Sequence, residues 1–423
     1  MPSSHRSGHG ASPRRSFGGK FSHTRSGKRF GSDKPFHRSG GFNRGRGGGK
    51  GYVQPRIDIS RFINKAVITE ATPNFVPEHQ FADFHIEPAL KKNIIAKGYT
   101  TPTPIQDRAI PYILRGADVV GIANTGTGKT GAFLIPLVNK ILKNRQEKVL
   151  IMVPTRELAV QIGEELRGFA PGLAIHAATC VGGASIGPQI SALRRNPQFV
   201  IGTPGRLKDL IERKALALGG FSTVVLDEAD RMLDMGFIHD MRAILARCAS
   251  VRHTLFFSAT LSSEIEKLIK DFLREPVRIS VKTGETSKDV EQDVIRLLPG
   301  QQKLDVLHDL LLKPGFSKVL VFGRTKHGVE KLAKALVARG FKAESIHGNK
   351  TQNRRQKALE LFKRDHVQGL VATDVAARGL DINGVSHVIN YDMPGSHDDY
   401  IHRIGRTGRA GKKGIALTFI EAR

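Results

Sequence analysis

One segment, Val119–Thr130, carries most of the information about the fold and reads VVGIANTGTGKT. Its first four residues are apolar, which predicts a buried β-strand. A glycine-rich loop comes next, and a helical pattern begins where the loop ends. Backbone N–H groups of such a loop converge beside the N-terminus of the helix, where they can hold phosphate oxygens. The segment therefore predicts a phosphate-binding loop at Ala123–Thr130, with an ordinary strand-to-helix turn as the alternative.

Two side chains at the end of this loop have the chemistry that a bound nucleoside triphosphate requires. Lys129 would reach the β- and γ-phosphates, and the Thr130 hydroxyl would coordinate Mg²⁺. The phosphate cradle itself would be formed by the loop residues Ala123, Thr125, Gly126, Thr127 and Gly128.

A second strand-like run, Thr223–Leu226, ends in Asp227-Glu228-Ala229-Asp230. An acid at the end of a strand beside a phosphate loop is a second anchor for Mg²⁺, and we assign this role to Asp227, acting through water. Glu228 can orient and deprotonate an attacking water molecule. The alternative is a helix N-terminus, where the helix dipole favours acidic residues.

Short apolar runs alternate with amphipathic helical patterns on either side of a polar stretch, Lys282–Asp289. The runs are Val149–Val153, Phe199–Ile201, Thr223–Leu226, Thr254–Phe257, Val319–Phe322, Gly369–Ala372, His387–Asn390 and Ile415–Phe419. Continuous apolar strands that alternate with helices predict a parallel sheet covered on both faces. Two such series predict two α/β domains, at 81–282 and 291–423. A linker at 283–290 joins them, and a tail at 1–56 and a linker at 57–80 precede them.

Composition limits the class of protein. The chain has 423 residues, too many for one ordinary core, and a net charge of +27. Such an excess attracts polyanions, of which nucleic acid is the leading candidate and an anionic membrane surface the second. The sequence has no apolar run of about 18 residues, so we expect a soluble, cytoplasmic protein without a membrane partner. Two isolated cysteines, Cys180 and Cys248, argue against a disulfide framework or a zinc ribbon and fit a reducing compartment.

Residues 1–56 differ in composition from the rest of the chain. They hold thirteen Lys and Arg against one acid, Asp33, and thirteen Gly and nine Ser. Such a segment cannot bury enough apolar surface to order itself, so we expect a disordered tail. Its aromatic residues lie beside cations, which suits phosphate neutralisation combined with base stacking. The tail is therefore predicted to tether RNA without sequence preference, and an inert solubilising segment is the alternative.

The run Asp227–Asp230 resembles the signature of DEAD-box RNA helicases, and the resemblance extends over residues 81–423. The segment GYTTPTPIQ (Gly98–Gln106), with Phe81 seventeen residues upstream of Gly98, is similar to the adenine-reading element of that family. The resemblance implies two tandem RecA-like domains. It also implies that Gln106 uses its amide on the adenine edge while Phe81 and Tyr99 support or stack on the ring.

Further family elements lie in the order that this resemblance requires. Ser258-Ala259-Thr260 resembles the element that couples hydrolysis to strand separation, with hydroxyls bonded to Asp230 and His402. In His402–Arg409, the resemblance implies that Arg406 and Arg409 reach the γ-phosphate from the second domain as arginine fingers, which can add on the order of 10³–10⁵ in rate. Asp381 would accept hydrogen bonds from the ATP ribose.

RNA contacts are implied for short elements in both domains, which suit phosphate and 2′-OH recognition without base-edge readout. The residues concerned are Pro154, Thr155, Arg156, Gly182, Gly183, Thr203, Pro204, Gly205, Arg206, Arg324, Thr325, Gly348, Gln352, Arg355, Thr373 and Asp374.

The function implied is an ATP-dependent RNA helicase, similar to bacterial helicases of the RhlE kind, with ATP and Mg²⁺ as cofactors and RNA as partner. ATP-driven closure of the two domains would open short RNA duplexes locally, and hydrolysis would release the RNA. Ribosomal or RNA-decay complexes are further candidate partners. Two other functions stay open: an ATP-dependent RNA clamp or scaffold with little unwinding, and a DNA-directed helicase of the same superfamily. Whether RNA or DNA stimulates ATP hydrolysis discriminates between an RNA helicase and a DNA-directed helicase.

Overall fold

The structure, a computed structural model, describes residues 62–63, 75–124, 126–281, 290–377, 382–408 and 413–420. The predictions for the tail at 1–56 and for Thr125, Asp381 and Arg409 fall outside these residues. Within the described residues the chain forms two parallel sheets, each with helices on its faces. No helix among them is both long enough and apolar enough to cross a membrane.

The first domain contains a seven-stranded sheet in the order β3-β4-β2-β5-β6-β1-β7, counted over the described residues. Its strands are β1 Val119–Ala123, β2 Val149–Met152, β3 Ala177–Cys180, β4 Phe199–Gly202, β5 Thr223–Leu226, β6 His253–Ser258 and β7 Val277–Val281. The helices are α1 Pro88–Ala96, α2 Pro104–Leu114, α3 Lys129–Lys143, α4 Arg156–Phe169, α5 Ile186–Arg194, α6 Pro204–Glu212, α7 Ala229–Asp234, α8 Ile238–Leu245 and α9 Ser263–Phe272.

Both faces of this sheet are covered, so its central strands β1, β2, β5 and β6 are buried at every position and mostly apolar. Along β1, Val119 and Ala123 contact one apolar core, while Val120 and Ile122 contact the core on the opposite face. The strands β5, β6 and β1 are neighbours in the sheet. Because parallel strands end at the same edge, the segments that follow these three strands lie side by side there, where ligands bind in open α/β sheets.

The second domain contains a six-stranded sheet in the order β10-β11-β9-β12-β13-β8, again among the described residues. Its strands are β8 Val290–Arg296, β9 Val319–Phe322, β10 Ala343–Ile346, β11 Gly369–Ala372, β12 His387–Asn390 and β13 Gly414–Ile420. The helices are α10 Lys303–Leu311, α11 Lys326–Ala338, α12 Gln352–Lys363, α13 Asp374–Ala377 and α14 His397–Ile404.

The predicted fold class is confirmed, and each apolar run read as a strand is a strand within about one residue of its expected ends. Two details differ from the expected domain limits. Val290, which the sequence placed in the linker, is buried as the first residue of β8. In the expected linker at 57–80, the backbone N–H groups of Glu78 and His79 donate to the buried carboxylate of Asp107 in α2. The domain limits themselves stay a proposal.

Candidate active site

The loop between β1 and α3 adopts a backbone that only glycine tolerates well. Gly128 has φ = 93°, and a Cβ there would lie 2.7 Å from Nε2 of Gln106 and from Oγ1 of Thr103. Lys129 opens α3 with its side chain folded back, and its Nζ donates to the carbonyl oxygen of Ala123 at 2.7 Å. The buried ammonium is thus held inside the loop, where it can exchange this carbonyl for phosphate oxygens.

Acidic side chains follow β5, the strand next to β6 in the sheet. Asp227 and Glu228 are buried, with 2% and 4% of their surface exposed. Glu228 has φ = 52°, a left-handed conformation that costs roughly 1–2 kcal/mol for a residue with a side chain. Its carboxylate pairs with Nη1 of the buried Arg231 at 3.1 Å. Strained backbone of this kind clusters at functional sites, because the surrounding contacts must hold it.

The three acids of this segment differ in their electrostatic surroundings. Burial raises the pKa of Asp227 to about 7, while the Lys129 ammonium opposes the rise. Burial also acts to raise the pKa of Asp230, but the cations Lys129 and Arg231 and the backbone N–H of Thr260 hold it below its ordinary value. Asp230 therefore stays ionised, whereas Asp227 needs a further positive charge nearby to do so at neutral pH.

The segment after β6 is bonded to the segment after β5 through Asp230. Its Oδ2 accepts from the backbone N–H groups of Ala259 and Thr260 at 2.9 and 3.0 Å, and from the Thr260 hydroxyl at 3.2 Å. The Thr260 bond is the one implied by the family resemblance. The Ser258 hydroxyl differs from that expectation, because it donates to the carbonyl oxygen of Thr260 at 2.8 Å and so closes its own turn.

The expected adenine element lies at the N-terminus of α2, against the phosphate loop. The Gln106 amide accepts from the Thr103 N–H at 2.9 Å and donates to the Gly128 carbonyl oxygen at 3.0 Å. Each end of an amide can make one more hydrogen bond, so adenine recognition by Gln106 is compatible with these contacts and stays a proposal. Phe81 is buried, and its ring lies edge-on to the Tyr99 ring at 5.7 Å, so it supports Tyr99 from behind.

A cleft of about 200 Å³ connects these groups. It is lined by Tyr99, Gly126, Gly128, Lys129, Thr130, Gly131, Leu158, Gln161, Glu165, Asp227 and Glu228. The sequence did not indicate Glu165, whose carboxylate accepts from the Tyr99 hydroxyl at 2.7 Å and pairs with Lys97 at 2.9 Å. Phosphate loop, acids and aromatic platform therefore line a single cavity.

The second domain reaches this region through α14. A cavity of about 90 Å³ is lined by Asn124, Arg231, Ala259 and Thr260 of the first domain and by Ile401, His402, Gly405 and Arg406 of the second. Arg406 is buried, and its Nε donates to the His402 carbonyl oxygen at 3.4 Å. Of the residues predicted to act on the nucleotide from the second domain, His402 and Arg406 therefore lie beside the coupling segment of the first.

Arg403, which the sequence did not single out, organises the same helix. Its Nε and Nη2 bind both carboxylate oxygens of Asp374 at 2.5 and 2.8 Å, and its Nη1 donates to Oδ1 of Asn390. Both carboxylate oxygens of Asp374 thus already bind a buried guanidinium, and the RNA contact expected of Asp374 stays a prediction. The Arg403–Asp374 pair fixes α14 against α13.

Two other residues expected to bind RNA bridge the domains in this structure, and their RNA contacts stay predictions. Arg355 and Gln352, at the start of α12, are buried and contact Glu157 in α4, which belongs to the first domain. Nη2 of Arg355 lies 2.7 Å from Oε2 of Glu157, and Nε2 of Gln352 lies 3.4 Å from Oε1. Arg156 is close by, and burial together with the cations Arg355 and Arg206 lowers its pKa. The predicted RNA elements of the two domains thus meet around one carboxylate.

The remaining predicted RNA residues divide by exposure. Gly183, Gly205, Arg324, Thr325 and Gly348 are exposed, Arg206 and Gly182 are half-buried, and Pro154, Thr155, Thr203, Pro204 and Thr373 are buried. A Cβ on Gly183 would lie 1.8 Å from Nη1 of Arg156 and would displace this guanidinium, and the φ of 70° at this position also favours glycine. Thr155 and Thr325 cap α4 and α11 through their hydroxyls, which means that local structure already uses them.

Comparison with known families identifies the arrangement. Residues 103–268 match the DEAD/DEAH box helicase family, and residues 302–411 match the helicase conserved C-terminal domain. The chain belongs to the DEAD/DEAH box helicase family. The family predicted from the motifs is therefore confirmed, while the narrower likeness to the RhlE kind stays a prediction.

Individual relatives and solved structures resemble the chain over most of its length. The ATP-dependent RNA helicase CshA of Listeria monocytogenes is 46% identical over 346 residues, which cover 81% of this chain and 66% of CshA. The chain thus spans slightly less than two thirds of that relative. The structure of S. cerevisiae Dbp5 bound to RNA and ADP BeF3 matches with a TM-score of 0.72 at 28% identity, covering 81% of this chain and 90% of Dbp5. Mss116p bound to ssRNA and AMP-PNP matches with a TM-score of 0.72 at 31% identity, covering 79% and 73%.

Proposed function

We propose that this protein hydrolyses ATP in an RNA-stimulated reaction and uses closure of its two domains to separate short RNA duplexes locally. The observation that carries this proposal is the cavity shared by the two domains, in which His402 and Arg406 face Thr260 and Asn124. The phosphate loop and acids of the first domain are incomplete without cations for the γ-phosphate, and the C-terminal end of α14 with the segment after it supplies them. Hydrolysis therefore depends on the relative position of the domains.

In the hydrolytic step, Lys129 leaves the Ala123 carbonyl and binds the β- and γ-phosphates. Glu228, oriented by Arg231, accepts a proton from the attacking water. The water oxygen bonds to the γ-phosphorus, and the bond between the γ-phosphorus and the β-phosphate oxygen breaks. Arg406, with Arg409 and His402, stabilises the charge on the transferred phosphoryl group. Asp230 and Thr260 transmit the position of α14 to the phosphate site through their hydrogen bonds.

Magnesium fits the donor set of this site. Asp227 offers a buried carboxylate, which a bound cation would keep ionised, and Thr130 offers a hydroxyl on the first turn of α3. Mg²⁺ is typically held by one or two protein oxygens together with substrate phosphates and water. Asp227 and Thr130 would hold the ion, which when bound neutralises charge on the phosphates.

RNA is the proposed partner because cationic and glycine-rich elements of both domains meet around the Glu157 carboxylate. Arg156 and Arg206 approach from the first domain and Arg355 from the second, so a single phosphate backbone could contact both. The related Dbp5 and Mss116p structures contain RNA, which supports the same partner class here. Ribosomal or RNA-decay complexes are proposed contexts for the RNA, and the cytoplasm is the proposed location because ATP and RNA are both available there.

The test is a strand-separation assay with ATP on RNA duplexes of increasing length and on DNA duplexes of the same sequence. We expect release of the shorter RNA strands, because opening a duplex costs roughly 1.4 kcal/mol per base-pair step by the DNA stacking figure. On the DNA duplexes we expect little activity. ATP hydrolysis without strand release from any RNA duplex would indicate the RNA clamp. Equal activity on DNA would indicate the DNA-directed helicase.

A further inference from the structure

Phe62 occupies an unexpected place for a residue near the start of the chain. The first domain begins after it, and eleven residues of sequence, 64–74, separate Ile63 from Phe75. Phe62 nevertheless has 0% of its surface exposed, and its ring lies edge-on to Tyr400 of the second domain at 4.5 Å and 67°. The chain therefore contacts its second domain before it enters the first.

The pocket that holds Phe62 is built from three elements of the second domain. Its buried members besides Phe62 are Val290 of β8, Tyr400 and Ile404 of α14, and Ala416 of β13. The Tyr400 hydroxyl donates to Oε1 of Gln292 in β8 at 2.9 Å, which ties α14 to the sheet beneath Phe62. This pocket, which we call the Phe62 pocket, is thus a formed apolar site with a definite occupant from this chain.

The Phe62 pocket also contains the residue at which the other interdomain connection arrives. Val290 follows the segment 282–289, which leaves the first domain at Val281, the end of β7. In the first domain, Glu78 and His79, a few residues after Phe75, line the same groove as Val277–Ser280 of β7. The two connections, 64–74 and 282–289, therefore join the same two neighbourhoods of the molecule.

We propose that Phe62 is a clasp: seated in its pocket, it gives the two domains a second attachment, which together with the interdomain linker acts as a hinge. Two attachments leave two bodies less freedom to rotate and to separate than one attachment does. By the reach of an extended chain, segment 64–74 spans at most about 40 Å and segment 282–289 about 30 Å, so both limit how far the domains separate. The clasp thus raises the effective concentration of one domain at the other.

The clasp acts on the helix that completes the active site. Tyr400 and Ile404, which contact Phe62, lie on α14 together with His402 and Arg403, and Arg406 follows directly. Seating Phe62 behind α14 therefore favours the orientation in which Arg406 faces the first domain. This part of the inference rests on the proposed function, whereas the hinge itself does not.

The placement of Phe62 is tested by fluorescence, because the chain contains no tryptophan. Phe62→Trp places the only tryptophan of the chain in the pocket, and Ile63→Trp places it at the neighbouring residue, which is 46% exposed. We expect blue-shifted emission and protection from acrylamide quenching for Phe62→Trp but not for Ile63→Trp. Equal quenching of the two variants would overturn the clasp.

The hinge is tested by single-molecule energy transfer between dyes on Glu212→Cys and Lys331→Cys, both exposed positions, while the native cysteines are buried. Without ligands, Phe62→Ala should broaden the interdomain distance distribution and shift it to longer distances, and the matched control Ile63→Ala should not. Phe62→Leu, which keeps most of the apolar volume, should stay close to the parent protein. If Phe62→Ala does not fold, the emission and quenching comparison of Phe62→Trp with Ile63→Trp carries the test.

Functional coupling provides the third measurement. In Phe62→Ala, the RNA concentration that gives half-maximal ATP hydrolysis should rise severalfold, because closure loses part of its effective concentration. The proposal would be contradicted if the distance distribution and the RNA dependence of Phe62→Ala matched those of Ile63→Ala. The emission and distance measurements need neither ATP nor RNA, so failure of the clasp is distinguishable from failure of the proposed activity.

Discussion

The carboxylate of Glu157 in the first domain lies 2.7 Å from the guanidinium of Arg355 in the second, and both side chains are buried. A buried ion pair is strong only while both partners remain, because either charge alone lacks solvation. The pair therefore links the positions of the two domains. It also places a carboxylate next to cations that the family resemblance assigns to RNA.

Glu157→Gln should weaken the coupling between ATP and RNA binding. The neutral amide keeps the shape of the side chain but removes the charge that holds Arg355, so the closed arrangement loses stability. We expect the increase in RNA affinity caused by a non-hydrolysable ATP analogue to fall by roughly tenfold, within the usual range of coupling energies. The control is Glu164→Gln, an exposed residue on the same helix. An unchanged coupling factor in Glu157→Gln would contradict the role of the pair.

ATP should be preferred over GTP because the Gln106 amide can pair with the adenine edge while it remains bonded to Thr103 and Gly128. Guanine presents an acceptor where adenine donates, and the resulting unpaired buried group costs roughly 1–3 kcal/mol. The corresponding ratio of kcat/KM for the two nucleotides is about 5- to 150-fold. Comparable efficiencies with ATP and GTP would remove the adenine assignment from Gln106.

How much of this site could be read from the sequence depends on how local each interaction is. The phosphate loop and the acids after β5 lie in short segments whose chemistry depends on a strand end and a helix start, so their positions were predictable. The Arg403–Asp374 and Glu165–Tyr99 pairs join residues 29 and 66 positions apart, and nothing local marks them. Phe62 gave no signal either, since an apolar residue outside the two predicted domains acquires meaning only from the pocket that receives it.

The raised pKa of Asp227 predicts a pH dependence for the metal-bound nucleotide complex. The folded protein holds this proton more tightly than the unfolded chain does. The protonated carboxyl therefore stabilises the fold fully at pH values below its ordinary pKa of 3.8, and this stabilisation is lost as the pH rises to about 7. Metal binding requires the ionised form, so the apparent Mg²⁺ affinity should be about tenfold weaker at pH 6 than at pH 8.

The measurement is Mg²⁺-dependent binding of a fluorescent ATP analogue at the two pH values, with Asp227→Asn as the control. The Asn variant should lose this part of the pH dependence. If the pH profile of the Asn variant matched that of the parent protein, the titrating group would not be Asp227.

Removal of residues 1–55, which leaves a chain that starts at Arg56 and keeps Phe62, should lower RNA affinity and its salt dependence. The removed cations would no longer neutralise phosphates, and each one engaged on a single strand contributes about −0.7 to the logarithmic salt slope. ATP hydrolysis at saturating RNA should change little, since the assigned catalytic residues all lie beyond position 81. RNA binding is measured at several salt concentrations, and superimposable curves for the two chains would show the tail to be merely solubilising.

The central claim is that ATP hydrolysis requires both domains and is stimulated by RNA. The most direct test is the steady-state rate of ATP hydrolysis by the full chain, with and without single-stranded RNA, beside Lys129→Ala, Glu228→Gln and Arg406→Ala. The account predicts strong stimulation by RNA, its loss in all three variants, and retention of ATP and RNA together by Glu228→Gln, which lacks only water activation. A rate that RNA does not change, or an Arg406→Ala variant as active as the parent protein, would contradict it.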